Sequence, residues 1–320
     1  MERDTSADHE EDQGKDRRWG RMDFQTEFVP IDKANGTFQV RMRPDPRRYD
    51  RTEHDGKPHY FDKYLRVLIP EDLILGEGKR QLEGLPLYFL SSSIDSTAEY
   101  ASARSNALGE ELRGGSYSPP HQKALQHKSA VSSPTPKELV FLSVDICGGS
   151  ALRRNNRERF DRAYKIFIRE LGTVVGQFNG TIYKATGDGF IAYIDHPSFT
   201  SRSDQAVDLG LTLLAVLCRS INPALREAGL PELAIRVGAD TGIVSFRKLE
   251  VPTTGFSEVE IASDALNRAV KIQESADENL FRIGRDLYEL VHVGWLERAT
   301  EVPFDGASVG MPDYRVYEVI

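Results

Sequence analysis

The feature that most constrains the fold of this chain is the regular alternation of apolar runs between residues 138 and 320. Residues 139–144 form an apolar run short enough for a buried strand, and this run ends in the carboxylate Asp145. Further apolar positions recur at helical or alternating spacing along the rest of the segment. The predicted elements are a strand over 139–145, a helix over 157–178, a hairpin of strands over 181–185 and 190–194, a helix over 205–221 that Pro223 stops, a strand over 233–238, a helix over 264–275, a strand over 281–283, a helix over 286–291 and a strand over 314–319.

This order of elements predicts the fold class. Strand, helix, hairpin, helix, strand and helix follow each other as in the βαββαβ layout of ferredoxin-like domains. We therefore predict an α+β protein, in which a ferredoxin-like domain with extensions over 138–320 follows a small α+β accessory domain.

The part of the chain before residue 138 shows weaker patterns. The predicted units are a disordered tail at 1–18, an accessory or regulatory domain at 19–112 and a flexible linker rich in Gly, Ser and Pro at 113–137. Within the accessory domain we predict strands over 38–42, 64–69 and 87–90, and a helix that Ser96 or Thr97 caps and Gly109 closes. His59, Asp62 and Lys63 are interpreted there as polar surface residues.

Composition excludes several functional classes. The chain has 41 Lys and Arg residues against 49 Asp and Glu, a net charge of -8, whereas a protein that coats nucleic acid is basic. Its two cysteines, Cys147 and Cys218, provide no disulfide framework, which favours a reducing compartment. We find no apolar stretch typical of a signal peptide or a membrane span. The sequence predicts a cytoplasmic protein with neither nucleic acid nor membrane as a partner.

Two carboxylates are the strongest candidates for chemistry. Asp145 ends the first strand of the main domain, and Asp188 lies in the turn of the hairpin that should pair with it. Two clustered carboxylates repel each other unless they are protonated or neutralised by a cation. A pair of Mg²⁺ or Mn²⁺ ions would neutralise them and would suit a polyphosphate substrate. Taken singly, Asp145 could cap a turn and Asp188 could belong to an ordinary Asp-Gly hairpin.

The turn after Asp145 favours the functional interpretation. Gly148 and Gly149 allow backbone N–H groups to approach an anion closely, and Ser150 adds a hydroxyl near the start of the next helix. Together, a carboxylate at a strand end, a turn suited to phosphate and a second carboxylate are more specific than any one of them.

Four segments resemble the class III nucleotidyl cyclases, in the order in which that family carries them. Residues 143–150 are similar to the family's metal and phosphate turn, Asp-Ile-x-Gly-Phe-Thr, and 184–190 to its Lys-x-x-Gly-Asp hairpin. Residues 236–242 are similar to its Arg-Ile-Gly-x-x-x-Gly strand, and 265–271 to its Val-Asn-x-Ala-x-Arg helix. The resemblance covers about 138–320 and implies conversion of a nucleoside triphosphate to a 3′,5′-cyclic nucleotide and pyrophosphate.

The resemblance also implies a role for individual residues. Asp145 and Asp188, with the carbonyl of Ile146, would bind two divalent cations, Mn²⁺ or Mg²⁺. Cys147, Gly148, Gly149 and Ser150 would hold the phosphates, Asn267 would orient the ribose, and Lys271 would stabilise charge at the α-phosphate. The family forms its active sites between two head-to-tail subunits, so a homodimer with shared sites is implied.

Departures from the family pattern keep alternatives open. Lys271 stands where the family has Arg, which loses the bidentate fork, and no lysine is evident near the last strand for a further triphosphate contact. These departures motivate a catalytically silent cyclase-like sensor as the alternative of another class. A polymerase-type palm ranks lower because no basic face for a template is evident.

The residues that would read the base are Lys184 and Glu260. Lys with an acidic residue suits ATP and would make the chain an adenylate cyclase. Glu260 reaches farther than the family's Asp, towards a smaller pyrimidine, and Lys184 can donate to a uracil carbonyl, which narrowly favours UTP. The chain also resembles the pyrimidine cyclases of the Pycsar anti-phage systems. That resemblance implies cyclic UMP as an infection signal, read by a separate effector protein. The N-terminal domain prompts a separate hypothesis, that residues 19–112 gate the cyclase.

Overall fold

The structure is a computed structural model that describes residues 21–32, 35, 37–82, 91–128 and 136–320. The tail predicted at 1–18, the strand predicted at 87–90 and residues 129–135 of the predicted linker lie outside this described part.

The N-terminal part consists of short strands followed by helices. Its elements are β1 (Phe24–Asp32), β2 (Thr37–Pro44), β3 (Tyr49–His54), β4 (Lys57–Asp62), β5 (Val67–Pro70), α1 (Glu71–Leu82) and α2 (Thr97–Leu112). Strands β1 and β2 form one antiparallel pair, and β3, β4 and β5 form a separate antiparallel sheet. The strand predicted at 38–42 is confirmed, whereas only the second half of the strand predicted at 64–69 forms.

The C-terminal part alternates strands and helices as predicted. Its elements are β6 (Lys137–Ile146), α3 (Gly149–Asn155), α4 (Arg157–Gln177), β7 (Gly180–Ala185), β8 (Gly189–Ile194), α5 (Phe199–Val216), α6 (Asn222–Glu227), β9 (Ile235–Val251), β10 (Phe256–Ala262), α7 (Asp264–Ser275), β11 (Phe281–Gly284), α8 (Arg285–Tyr288), α9 (Val293–Leu296), β12 (Ala299–Val302) and β13 (Val316–Val319). The central strands lie in the order β9-β6-β8-β7, with β6 antiparallel to both of its neighbours. This arrangement confirms the predicted α+β, ferredoxin-like fold.

Strand β6 lies at the centre of the sheet and is covered on both faces. Val140, Leu142 and Val144 pack with the core formed by α4 and α5, whereas Leu139 and Phe141 pack with α7. Successive side chains of a strand point to opposite faces, so an apolar layer on each side requires a continuous apolar run. Because both faces of β6 are covered, its sequence is continuously apolar and does not alternate between apolar and polar residues.

Helix α7 lies very close to β9. A Cβ atom on Gly238 would lie 2.3 Å from the backbone nitrogen of Gln273 in α7. A side chain at position 238 would therefore push the helix away from the sheet, which explains a glycine in the 236–242 segment.

The second helical region differs from its prediction. It starts at Phe199, and a π-helical turn at Leu217–Ile221 continues it into α6. Pro223 does not stop it but stands near the start of α6, directly after the π-helical turn. Within the described residues, the run 199–227 is long and apolar enough for a membrane span. An 18-residue window of it has mean hydropathy 1.3, yet 61% of that window is buried inside the fold. Packing against the core accounts for its composition.

Strand β9 is much longer than the strand predicted at 233–238. Its second half forms a hairpin with β10, in a region where the sequence indicated only an insertion. This hairpin fixes the position of Glu260, which lies on β10 directly across from Arg247 on β9.

Helix α2 packs into the core of the C-terminal domain rather than into a separate accessory domain. Tyr100 and Leu108 belong to the same buried cluster as α4 and α5. Ser96 caps the helix as predicted, through a bond from the Glu99 N–H, but the helix continues past Gly109 to Leu112. Helix α2, which the prediction placed in the accessory domain at 19–112, thus shares its buried cluster with α4 and α5.

A buried ion pair network holds the N-terminal unit together. The guanidinium of Arg48 donates to Asp23 and Asp62 at 2.8 Å each, and all three side chains are buried. Asp62 is therefore not the polar surface residue that the sequence suggested. Charges removed from water need partners of opposite sign, which explains the two carboxylates around one arginine.

Asp208 on α5 provides a test of the packing in this region. Burial, reinforced by the neighbouring Asp204 and opposed by Arg298, raises the pKa of Asp208 to about 6. A raised carboxyl pKa makes folding less favourable as pH rises from about 4 to about 6, because the unfolded carboxyl releases its proton in that range while the buried one keeps it. We expect Asp208→Asn to raise the free energy of unfolding by about 2 kcal/mol at pH 8 and to have no effect at pH 3.5.

Urea unfolding at both pH values measures this difference. The matched control is Asp161→Asn on the exposed face of α4, which should change stability little at either pH. An equal effect of Asp208→Asn at both pH values would contradict the prediction.

Candidate active site

Asp145 and Asp188 lie beside each other at one end of the sheet. Asp145 pairs across β6 and β8 with Gly189, and the backbone N–H of Ile146 donates to the carbonyl of Asp188 at 3.3 Å. Burial and the neighbouring Asp188 raise the pKa of Asp145, while Arg236 opposes this shift. The structure therefore brings the two carboxylates together, as the sequence predicted.

Arg236 is a residue of this site that the sequence analysis missed. It lies directly across from Asp145 on β9, and its Nη2 donates to Asp145 Oδ2 at 2.8 Å. Its Nη1 donates to the carbonyl of Glu274 near the end of α7 at 3.3 Å. The sequence did carry a signal for Arg236, because it is the first residue of the third motif segment. Only the strand register, however, shows which carboxylate it contacts.

The turn after β6 brings backbone close to the carboxylates. Gly148 adopts a left-handed conformation, with φ of 66°, and α3 begins at Gly149. A Cβ atom on Gly149 would lie 2.6 Å from Asp188 Oδ2, so a larger residue would displace that carboxylate. The first N–H groups of a helix have no partner within the helix, which leaves those of Gly149 and Ser150 available to an anion.

Cys147 fits the predicted phosphate contact less well. Its backbone N–H donates to the carbonyl of Ala234 at 2.8 Å and is therefore not free for a phosphate. Burial raises the pKa of its thiol, which keeps the sulfur protonated at neutral pH. Of the predicted turn, residues 148–150 remain suited to an anion.

The donor set at this end of the sheet fits a divalent cation. Among the described residues, no group of three or more His, Cys, Asp or Glu side chains converges on one point. Mg²⁺, however, is commonly held by one or two carboxylates together with substrate phosphates, rather than by a complete protein cage. Burial and the neighbouring Asp188 raise the pKa of Asp145 despite Arg236, so a bound cation would relieve the repulsion within the pair.

Helix α7 presents its two candidate catalytic residues to solvent. Asn267 and Lys271 lie one turn apart on the exposed face, and Lys271 Nζ donates to Glu274 Oε2 at 2.8 Å. The opposite face is buried and carries Arg268. Amphipathic packing of α7 therefore determines which residues face outward.

Arg268 fixes the position of α7 through a buried network. Its guanidinium binds the fully buried Asp240, donates to the Thr241 carbonyl at 2.9 Å and reaches Asp286 Oδ2 at 2.9 Å. The hydroxyl of Tyr314 also donates to Asp240, at 2.7 Å. Because this side chain joins α7 to both β9 and α8, it restrains the rotation of the helix that carries Asn267 and Lys271.

A cleft of about 310 Å³ brings together the residues predicted to read a base. Lys184, Glu260 and Asn267 all line it, together with Tyr183 and Arg247. The sequence analysis identified neither Tyr183 nor Arg247 as a lining residue. Arg247 was missed because the hairpin that places it beside Glu260 was not recognised.

The cleft and the carboxylate pair lie towards different ends of α7. Asn267 is in the first turn of the helix, whereas Arg236 joins Asp145 to the carbonyl of Glu274 in the last turn. Seven residues of α-helix span about 10 Å. One chain therefore presents two separated half-sites.

Comparisons with known proteins find cyclase catalytic domains. The chain matches no protein-family model and no curated protein sequence. Over 58% of its length it is similar to solved structures of the guanylyl cyclase Cya2 (19% identity, TM-score 0.49, 92% of that chain), the adenylyl cyclase CyaB from P. aeruginosa (19%, 0.49, 95%) and the guanylate cyclase domain of RhGC from Catenaria anguillulae in complex with GTP (14%, 0.47, 98%). These are domains of the kind that the sequence motifs resemble.

Proposed function

We propose that this chain is a metal-dependent nucleotidyl cyclase, which converts a nucleoside triphosphate to a 3′,5′-cyclic nucleotide and pyrophosphate. The observation that carries the proposal is the meeting of Asp145 and Asp188 beside the start of α3. Two adjacent carboxylates beside the first backbone N–H groups of a helix suit a metal-bound polyphosphate.

Each residue group has a distinct task in this proposal. Asp145 and Asp188, with the Ile146 carbonyl, hold two divalent cations, Mn²⁺ or Mg²⁺, which supply charge stabilisation at the phosphates. The N–H groups at 148–150 orient the polyphosphate, Asn267 orients the ribose, and Lys271 stabilises charge as the ribose 3′-oxygen attacks the α-phosphorus. Lys271 must leave Glu274 to do so, which costs little because both side chains are exposed.

The separation of the two half-sites supports a homodimer with shared active sites. Asn267 and Lys271 point outward from α7, away from the fold that holds Asp145. In a head-to-tail pair, the carboxylates of one copy would face the α7 helix of the other, and each pair would form two complete sites.

For the substrate we propose UTP, with ATP as the alternative. Lys184 and Glu260 in the cleft offer a donor and an acceptor, and Glu260 reaches farther than an aspartate would. Together with the divergent motifs, this supports a cytoplasmic enzyme whose cyclic UMP signals phage infection to a separate effector protein.

Incubation of the purified protein with an equal mixture of ATP, GTP, CTP and UTP and with Mn²⁺ tests both claims. Separation of the products by mass should show cyclic UMP in excess. Dominant cyclic AMP would overturn the proposed base while retaining the cyclase, and the absence of every cyclic product at high protein concentration would overturn the cyclase.

One observation favours a second candidate, a nucleotide sensor without catalysis. Lys271 is engaged by Glu274 and lacks the bidentate fork of an arginine. A sensor would bind a nucleoside triphosphate tightly and release no pyrophosphate, so a pyrophosphate assay beside equilibrium binding separates the two candidates.

We also propose that the N-terminal unit gates the cyclase by docking on it. Asp23 Oδ2 accepts the backbone N–H of Val293 in α9 at 3.1 Å, and Arg21 pairs with Asp204 on α5. Helix α8, a few residues before α9, carries Asp286, which binds Arg268 of α7. Contacts of the N-terminal unit thus reach the helix that carries Asn267.

Deletion of residues 1–90, which keeps α2 in the core, is expected to change basal turnover at least about fivefold, a typical size for coupling between sites. The readout is initial rate against substrate concentration, with circular dichroism as the check on folding. The double variant Arg21→Gln/Arg47→Gln removes the ion pairs to Asp204 and Glu297, together with those to Asp23 and Asp45. It should change turnover in the same direction as the deletion. Unchanged kinetics in the deletion would reject gating.

A further inference from the structure

We propose that Arg247 is a third base-reading residue, and that Lys184, Glu260 and Arg247 form a row of donor, acceptor and donor that matches the edge of uracil. This inference rests on the proposed cyclase function and names a residue to which neither the sequence motifs nor the comparisons assign a role.

The hairpin places Arg247 and Glu260 side by side. They are direct partners across the antiparallel pair of β9 and β10, and both line the 310 Å³ cleft. Side chains that face each other across an antiparallel pair have Cβ atoms about 4.5–5.5 Å apart. The two side chains can therefore contact neighbouring atoms of one ligand.

Strand β10 lies between Arg247 and Lys184. One edge of β10 pairs with β9, while on the other edge the Ile261 N–H donates to the hydroxyl of Tyr183 at 3.1 Å. Lys184 follows Tyr183 on β7 and also lines the cleft. Glu260 on β10 is thus flanked by Arg247 on one side and by Lys184 on the other.

All three groups remain available to a ligand. In the described part of the chain, neither Arg247 nor Glu260 forms an ion pair, although they are direct cross-strand partners. The ammonium of Lys184 lies 5.4 Å from the centre of the Tyr183 ring, a contact that leaves its N–H donors free.

Uracil is the base whose edge uses the whole row. Its O4 and O2 accept hydrogen bonds, and the N3–H between them donates, so two cations around a carboxylate match it. Cytosine places two acceptors beside one amino donor, and adenine offers one donor and one acceptor on that edge. Guanine offers one acceptor followed by two donors. Each of these three bases leaves one member of the row without its counterpart, which lowers its relative rate.

The test uses Arg247→Met in the full-length chain, with kcat/KM measured separately for UTP, CTP and ATP. We expect kcat/KM for UTP to fall about tenfold or more, the size of one lost hydrogen bond to a charged group, and that for ATP to change less than about threefold. Arg247→Lys should recover part of the preference for UTP. The matched control is Lys248→Met, the next residue on β9, which is paired with Glu250 and should leave the preference unchanged.

Two results would overturn the inference. An equal fall for all three nucleotides would show that Arg247 contacts the shared triphosphate, and an unchanged UTP-to-ATP ratio would show that it contacts no base. In either case a wild-type protein that makes cyclic UMP retains the proposed function. If the wild type makes no cyclic nucleotide, the cyclase proposal fails, and equilibrium dialysis of UTP, CTP and ATP against wild type and Arg247→Met still decides whether Arg247 discriminates between bases.

Discussion

Replacement of Asp188 by asparagine is expected to lower turnover about 10³-fold, with the free energy of unfolding unchanged or raised. The amide cannot supply the negative charge that a divalent cation needs, and loss of several kcal/mol of charge stabilisation corresponds to about this factor. Stability is retained because removal of one carboxylate relieves the repulsion that helps to raise the pKa of Asp145.

Asp145→Asn should abolish turnover to the same extent but should not stabilise the fold. Asp145 is also the partner of Arg236, whose guanidinium would lose its only carboxylate at this end of the described sheet. A partly exposed ion pair contributes at most about 1 kcal/mol, so the loss is small but opposite in sign to the relief of repulsion. The two aspartates are thus equivalent for catalysis and different for stability.

The measurements are initial rates with Mn²⁺ and urea unfolding without metal. Asp195→Asn, at the other end of β8 and paired with Lys137, is the control and should keep full turnover. Excess chelator should abolish product formation by the wild type, and added Mn²⁺ should restore it. Retention of more than a tenth of the turnover by Asp188→Asn would contradict a shared metal site.

Replacement of Arg268 by methionine is expected to lower the free energy of unfolding by about 3–5 kcal/mol. Asp240 is completely buried, and without Arg268 the described residues leave its carboxylate only the Tyr314 hydroxyl and the Thr241 N–H as donors. Burial already raises the pKa of Asp240 to about 6 despite Arg268, so the variant should also bind a proton at Asp240 more tightly. Its stability should consequently fall further as pH rises through neutrality.

The double variant Asp240→Asn/Arg268→Met separates charge from packing. The double variant removes the uncompensated carboxylate and should therefore recover part of the lost free energy of unfolding. The cycle of single and double variants gives the coupling energy between the two side chains. Lys271→Met, on the exposed face of the same helix, is the control for stability and should cost less than about 0.5 kcal/mol. A loss below 1 kcal/mol in Arg268→Met would contradict the role of the pair in holding α7.

The sequence predicted the elements whose packing is determined locally. The buried strand before Asp145 and the amphipathic helix over 264–275 both form, the latter with the predicted bounds. In each case the apolar pattern matches a single periodicity, and no other part of the chain is needed to interpret it. The turn at Gly148 and Gly149 could also be predicted. Gly148 has left-handed backbone and Gly149 lies against Asp188, and few residues other than glycine fit either position.

Elements that depend on a partner could not be predicted in the same way. The second half of β9 is mostly exposed, and it is a strand because β10 pairs with it. The sequence did not show which core helix α2 joins, because its inward residues fit any apolar core equally well and only the packing decides. Asp62 looked like a surface residue because Arg48, which justifies its burial, is distant in sequence.

The sequence by itself therefore determined the α+β class, the meeting of Asp145 with Asp188 and the candidates Lys184, Glu260, Asn267 and Lys271, since motif order and strand periodicity are properties of the chain. The tertiary structure alone decided that Arg236 contacts Asp145, that Arg268 holds α7 and that Arg247 stands beside Glu260. The physical reason is register: which side chain faces which depends on strand pairing between distant segments, and a shift of one residue would place each on the opposite face of the sheet.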